Sequence, residues 1–61
     1  MRQAYIDTKF DRIIKVRRST WEHGKLWMHL LTVDDAPGQR YEVTLAEFLQ
    51  AKRFSQLRGN F

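Results

Sequence analysis

Hydrophobic and polar residues alternate in the first half of the chain. Between residues 12 and 21, Ile14 and Val16 fall on one side of an extended backbone, while Lys15 and Arg17 fall on the other. A period of two with β-branched residues is typical of a half-buried strand. The pattern therefore predicts a strand over residues 12–21.

A turn and a second strand are predicted next. Glu22-His23-Gly24 fits a three-residue hairpin loop whose glycine adopts positive φ, and residues 25–33 continue as a strand. In this register Trp21 faces Lys25 and Val16 faces Leu30, and the two faces separate. The predicted core face carries Ile14, Val16, Leu26, Met28 and Leu30. The predicted outer face carries Lys15, Arg17, Trp21, Trp27 and His29.

A third strand is predicted after the turn at residues 34–38, which contains Pro37 and Gly38. Over residues 39–43, the alternation assigns Tyr41 and Val43 to the core face and leaves Arg40 on the outer face.

A helix is predicted after the third strand. Thr44-Leu45-Ala46-Glu47 fits a capping box, in which the side chains at the first and fourth positions bond to each other's backbone N–H groups. The helix is expected from Leu45 to about Arg53, with its first apolar stripe on the sheet. A second stripe, rotated away from the first, predicts an interaction surface formed by Phe54, Leu57 and Phe61.

These elements predict one α+β domain over residues 1–61, a three-stranded antiparallel β-meander packed against one C-terminal helix. Residues 1–11 show no clean period and are expected to form an irregular arm or an edge strand. If residues 1–10 add a strand, the alternative is a small SH3-like β-barrel.

The length of the chain and its lack of cysteine limit the interactions that can stabilise the fold. A chain of 61 residues without cysteine has a small core and no disulfide. We therefore expect a homodimer or a tightly bound partner. No apolar run approaches the roughly 20 residues of a membrane span, and the N-terminus lacks the apolar segment of a secretory signal. A cytoplasmic location without membrane association is expected.

Charge points to a polyanionic partner. Eleven Lys and Arg residues against seven Asp and Glu residues give a formal charge of +4, and basic residues interleaved with tryptophan suit phosphates and exposed bases. The sequence predicts a small basic accessory or regulatory protein that binds DNA or RNA through the outer face. The candidate nucleic-acid-binding residues are Arg12, Lys15, Arg17, Arg18, Trp27, Arg40, Lys52 and Arg53.

Catalysis, cofactors and metals are not expected. His23 and His29 have neither a cysteine nor another histidine at ligand spacing, and the three glycines are too far apart to form a phosphate-binding loop. The alternative to nucleic-acid binding is a protein-interaction module, an inhibitor or a subunit, that uses the Phe54, Leu57 and Phe61 surface or a strand edge.

Overall fold

The computed structural model describes residues 3–57, which form five strands and one short helix. In chain order the elements are β1 (Ala4–Asp7), β2 (Arg12–Glu22), β3 (Lys25–Thr32), β4 (Arg40–Thr44), α1 (Leu45–Phe48) and β5 (Phe54–Leu57). The strands form one antiparallel sheet in the order β4-β3-β2-β1-β5. Over these described residues, no helix has the length and apolarity needed to cross a bilayer.

The predicted fold class is wrong. The structure is a five-stranded antiparallel sheet with a helix of four residues, not a three-stranded meander packed on a C-terminal helix. Residues 4–7 are neither an arm nor an edge strand, because β1 lies between β2 and β5. The SH3-like barrel is the predicted alternative if residues 1–10 add a strand, and β1 is such a strand. The sheet is not closed into a barrel, however, because β4 and β5 are its two edges and no ladder joins them within residues 3–57.

The helix is short because the chain that follows it pairs with β1. Phe54 lies opposite Asp7 and Leu57 lies opposite Ala4, so two residues predicted to form an interaction surface after the helix belong to β5 instead. This pairing buries Phe54 and satisfies the backbone of β1 on its second side. Long-range pairing therefore overrides the helical propensity of residues 49–53.

One of the two hydrogen bonds of the predicted capping box is present. The Thr44 hydroxyl accepts a hydrogen bond from the Glu47 N–H at 3.2 Å, as in a capping box. The Glu47 carboxylate, however, accepts from Arg53 Nη1 at 3.3 Å. Thr44 therefore caps the N-terminus of the helix, while the Glu47 side chain links the helix to Arg53 in the turn before β5.

The β2–β3 hairpin differs from the prediction by one residue at its tip. Its loop has two residues, His23 and Gly24, both at positive φ, so Glu22 pairs with Lys25 and Trp21 with Leu26. Positive φ at both central positions is the type I′ turn, whose twist matches that of paired strands. Trp21 therefore shares a face with Leu26 rather than with Trp27, contrary to the prediction.

The core lies on the inner face of the sheet, defined as the face that carries Ile14 and Leu30. Both are fully buried, and Val43 and Phe54 complete the buried cluster. Partly buried side chains around this cluster are Tyr5, Val16, Met28, Tyr41 and Phe48. Burial of each large apolar side chain contributes about 1.5–3 kcal/mol. The predicted core positions of Tyr41 and Val43 are confirmed.

Candidate functional site

Basic side chains collect on the outer face, the side of the sheet opposite Ile14 and Leu30. Directly opposed residues of antiparallel strands share a face. Arg40 is opposed to Leu31, which is opposed to Lys15, and Arg18 is opposed to His29. The outer face therefore carries Lys15, Arg18, Thr20, Glu22, Lys25, Trp27, His29, Leu31, Arg40, Glu42 and Thr44.

A β-bulge adds a further arginine to this face. Val16 pairs with Leu30 and Arg18 pairs with His29, so Arg17 is an extra residue in β2. Arg17 lines one shallow groove with His29 and Arg40, and a second groove with Lys15. We call Lys15, Arg17, Arg18 and Arg40 the cation cluster. The sequence predicted all four on the candidate interface, although it did not predict the bulge.

The cation cluster carries a local excess of positive charge. Within residues 3–57, none of its four members forms an ion pair. Most of the acids are engaged elsewhere. Asp35 pairs with Arg12 at 2.7 Å, and Asp34 accepts a hydrogen bond from the Ile13 N–H at 3.2 Å.

Trp27 lies on the same face, diagonal to Arg18 in the β2–β3 ladder, and is half-buried. Its position on the outer face follows from its pairing with Thr20 on one side and Thr44 on the other. The indole Nε1–H donates to the backbone carbonyl of Glu22 at 3.1 Å, which fixes the ring. A fixed and partly exposed aromatic ring is a surface on which a base can stack.

His29 is held between two polar partners on the same face. Its Nε2 lies 2.7 Å from the Thr20 hydroxyl, and its Nδ1 lies 3.2 Å from Glu42 Oε2. Glu22 also reaches this histidine: one ligand atom each from Glu22, His29 and Glu42 lie within 4.8 Å of one another. Sequence spacing did not reveal this cluster, because the three residues meet only through the pairing of three strands.

The other predicted cations lie elsewhere. Arg12 shares the face of Asp7 and forms the exposed ion pair with Asp35. Lys52 lies in the turn before β5, where its carbonyl accepts from the Thr8 hydroxyl at 3.0 Å. Arg53 is part of a buried network. None of these three residues joins the cation cluster.

The Arg53 network is structural. Asp7 is fully buried and accepts from Arg53 Nε and Nη2, both at 2.9 Å, and from the Tyr41 hydroxyl at 2.5 Å. Burial alone raises the pKa of Asp7, but the hydrogen bonds from Arg53, Tyr41 and the Lys9 N–H bring its pKa below the ordinary value. Burial and the neighbouring Asp7 carboxylate raise the pKa of Tyr41. The network joins β1, β4 and the turn before β5.

The predicted interaction surface is divided by the fold. Phe54 is in the core, Leu57 is half-buried on β5, and Phe61 lies outside the described residues. Exposed apolar surface is found instead at the hairpin tip and after α1, where Trp21 is 73% exposed and Leu49 is 69% exposed.

The outer face thus carries four basic side chains without ion pairs in the described part of the chain, a fixed indole and a polar histidine cluster, whereas the inner face carries the core. Comparison of the chain with protein-family models, with curated proteins and with solved structures found no match.

Proposed function

We propose that the protein binds nucleic acid, DNA or RNA, through the outer face of its sheet. The observation that carries the proposal is the cation cluster, four basic side chains on one face that form no ion pair within residues 3–57. Cations that bind phosphates release condensed counterions, and this release provides affinity that depends steeply on salt.

The dimensions of the cluster suit a phosphate backbone. Strands lie about 4.8 Å apart and rise about 3.3 Å per residue. Arg40 on β4 is therefore roughly 10 Å from the β2 cations, and Lys15 and Arg18 are separated by a similar distance along β2. About 10 Å along one strand of a helix carries roughly three phosphate charges. The four side chains can therefore reach different phosphates of one ligand.

Trp27 supplies the contact that is not electrostatic. Base stacking on an aromatic side chain contributes about 1–3 kcal/mol per base and tolerates any sequence. An unpaired base can stack on the indole while its flanking phosphates meet Arg17 and Arg18. Single-stranded DNA or RNA is the ligand in which both contacts form together. A homodimeric state and a cytoplasmic location are further parts of this proposal, and the protein is proposed to act by binding rather than by catalysis.

Acidic residues on the same face limit the affinity. Glu22 and Glu42 lie on the outer face beside the histidine, while Lys25 is opposed to Glu22 and adds one cation. The face therefore carries five basic residues against two acidic ones. The excess is positive and concentrated around the bulge.

Direct binding tests the proposal. The purified protein would be titrated against fluorescently labelled single-stranded and double-stranded DNA and RNA at several salt concentrations, with its solution mass measured in parallel. We expect saturable binding that weakens steeply with salt and is tightest for single strands. Absence of binding at low salt would overturn the proposal.

A protein-binding role is the second candidate, and the exposed Trp21 and Leu49 favour it. A groove of about 360 Å³ beside Trp21 is lined by Leu26, Leu45 and Ala46 among others. Large exposed apolar side chains often mark interaction surfaces. For a small chain without disulfides, self-association through this surface would also stabilise the fold. A dimer that dissociates on Trp21→Ser substitution, in a protein that binds no nucleic acid at low salt, would support this role, and a monomer at high concentration would contradict self-association.

A further inference from the structure

We propose that Glu22, His29 and Glu42 form a binding site for a zinc ion on the outer face. The three residues come from the end of β2, the middle of β3 and the middle of β4. Their potential ligand atoms, one nitrogen and two carboxylate oxygens, all lie within 4.8 Å of one another. This Glu–His–Glu cluster lies on the same face as the cation cluster but shares no residue with it.

The separation of these atoms suits a zinc ion. Zinc is bound by histidine nitrogen and carboxylate oxygen at about 2.0–2.2 Å, usually in a tetrahedron. Ligand atoms on such a tetrahedron are roughly 3.4 Å apart. The 3.2 Å between His29 Nδ1 and Glu42 Oε2 is already close to this value. Glu22 is exposed at the end of its strand, so a small rotation of its side chain completes the set.

The hydroxyl of Thr20 orients the His29 ring for metal binding. Nδ1 faces Glu42 and Nε2 faces the Thr20 hydroxyl at 2.7 Å. When Nδ1 ligates a metal, Nε2 carries the ring proton and donates a hydrogen bond to the Thr20 hydroxyl oxygen. A partner of this kind on the second nitrogen holds the ring and fixes its tautomer, and metal-binding histidines almost always have one. Thr20 is therefore a positioning residue for His29.

The donor set favours zinc over the hard cations. An imidazole with two carboxylates suits first-row transition metals, whereas calcium and magnesium prefer oxygen donors alone. Copper binds such donors more tightly than zinc does, but copper(II) prefers a square-planar or tetragonal arrangement, whereas zinc accepts a tetrahedron. Three protein ligands leave a fourth position for water or for a ligand oxygen. The bound ion would also offset the two glutamates and make the outer face more positive.

Calorimetric titration with zinc chloride tests the site. The protein is used as the full chain, without a histidine tag, in a non-chelating buffer and without nucleic acid. We expect one zinc ion per chain. In NMR spectra, the ring signals of His29 should shift on zinc addition while those of His23 do not. Because nucleic acid is absent, failure here leaves the nucleic-acid proposal intact.

Three ligand variants and two control variants test whether Glu22, His29 and Glu42 bind the zinc ion. Glu22→Gln, Glu42→Gln and His29→Asn should each weaken zinc affinity about tenfold or more, since loss of an outer-sphere partner alone typically costs 10- to 100-fold. The glutamate variants are nearly isosteric, and circular dichroism verifies their fold. His23→Asn and Asp11→Asn remove an exposed histidine and an exposed carboxylate outside the cluster, and should leave affinity unchanged. The absence of saturable binding would overturn the site, as would equal losses in variants and controls.

Discussion

Arg18 lies opposite His29 in the β2–β3 ladder, while Val16, two residues earlier, lies opposite the adjacent Leu30. The residue between them, Arg17, is therefore inserted into β2. Without this bulge, the two-residue hairpin loop would shift Val16 and Ile14 out of register with the core residues of β3. The bulge restores that register and places two consecutive arginines on the outer face.

Substitution of Arg53 by methionine should destabilise the fold strongly. It would leave the fully buried Asp7 carboxylate without its cation, and loss of one partner of a buried ion pair costs about 3–5 kcal/mol. Arg12→Met is the matched control, because the Arg12–Asp35 pair is exposed and contributes about 0–1 kcal/mol. Urea denaturation measures both. Equal effects of the two variants would contradict a structural role of the network.

Stability should fall in acid because of the same carboxylate. In the folded protein the pKa of Asp7 is below its ordinary value of about 3.9, so near that pH the unfolded chain binds the proton more readily. The stabilisation is present above about pH 4 and is lost as the pH falls through the folded pKa. Denaturation between pH 2 and 7, with NMR titration of the Asp7 carboxyl carbon, measures it. An ordinary pKa for Asp7 would contradict the account.

Two glycines should respond differently to substitution. Gly24 has φ of +74° and nothing within 4 Å of an added Cβ, whereas a Cβ at Gly38 would lie 2.5 Å from the Thr32 carbonyl oxygen. Gly24→Ala should cost about 1–2 kcal/mol through its backbone conformation alone. Asparagine adopts positive φ more readily, so Gly24→Asn should recover most of that stability. Thermal unfolding measures the effect, and no recovery by asparagine would contradict it. Neither Gly38→Ala nor Gly38→Asn should be tolerated.

Glu42→Gln should raise affinity for nucleic acid severalfold in a buffer that contains EDTA. Glu42 shares a groove with Arg17 and Arg40, so its charge repels the phosphates that these arginines attract. Fluorescence anisotropy with labelled single-stranded DNA measures the change, and Asp11→Asn is the control away from the face. A loss of affinity in the Glu42 variant would show that phosphates do not bind beside it.

Local patterns were enough to predict the three central strands. Alternation placed β2, β3 and β4 to within two residues, and most of the outer-face residues followed from it. The register at the hairpin tip was wrong because the loop has two residues rather than three. Trp21 was assigned to the wrong face for that reason, while Lys15 and Arg17 were placed correctly because the bulge compensates for the shift.

The features that sequence reasoning missed depend on distant partners. β5 forms because residues 54–57 pair with β1, some fifty residues earlier. The sequence suggested otherwise, because the intervals between Phe54, Leu57 and Phe61 resemble those of a helical stripe. Arg53 was read as a surface cation because nothing local indicates its contact with Asp7. The Glu–His–Glu cluster similarly requires the register of three strands.

The salt dependence of binding by an Arg17→Ala/Arg18→Ala variant tests the central claim most directly. Loss of two phosphate contacts should weaken binding to single-stranded DNA and reduce the slope of log K against log salt by about 1.4. Lys52→Ala is the matched control, since it removes an exposed cation that lies outside the cluster, and circular dichroism verifies that both variants are folded. The account predicts a reduced slope for the arginine variant and an unchanged slope for the Lys52 variant. An unchanged slope for the folded arginine variant would contradict binding through the outer face.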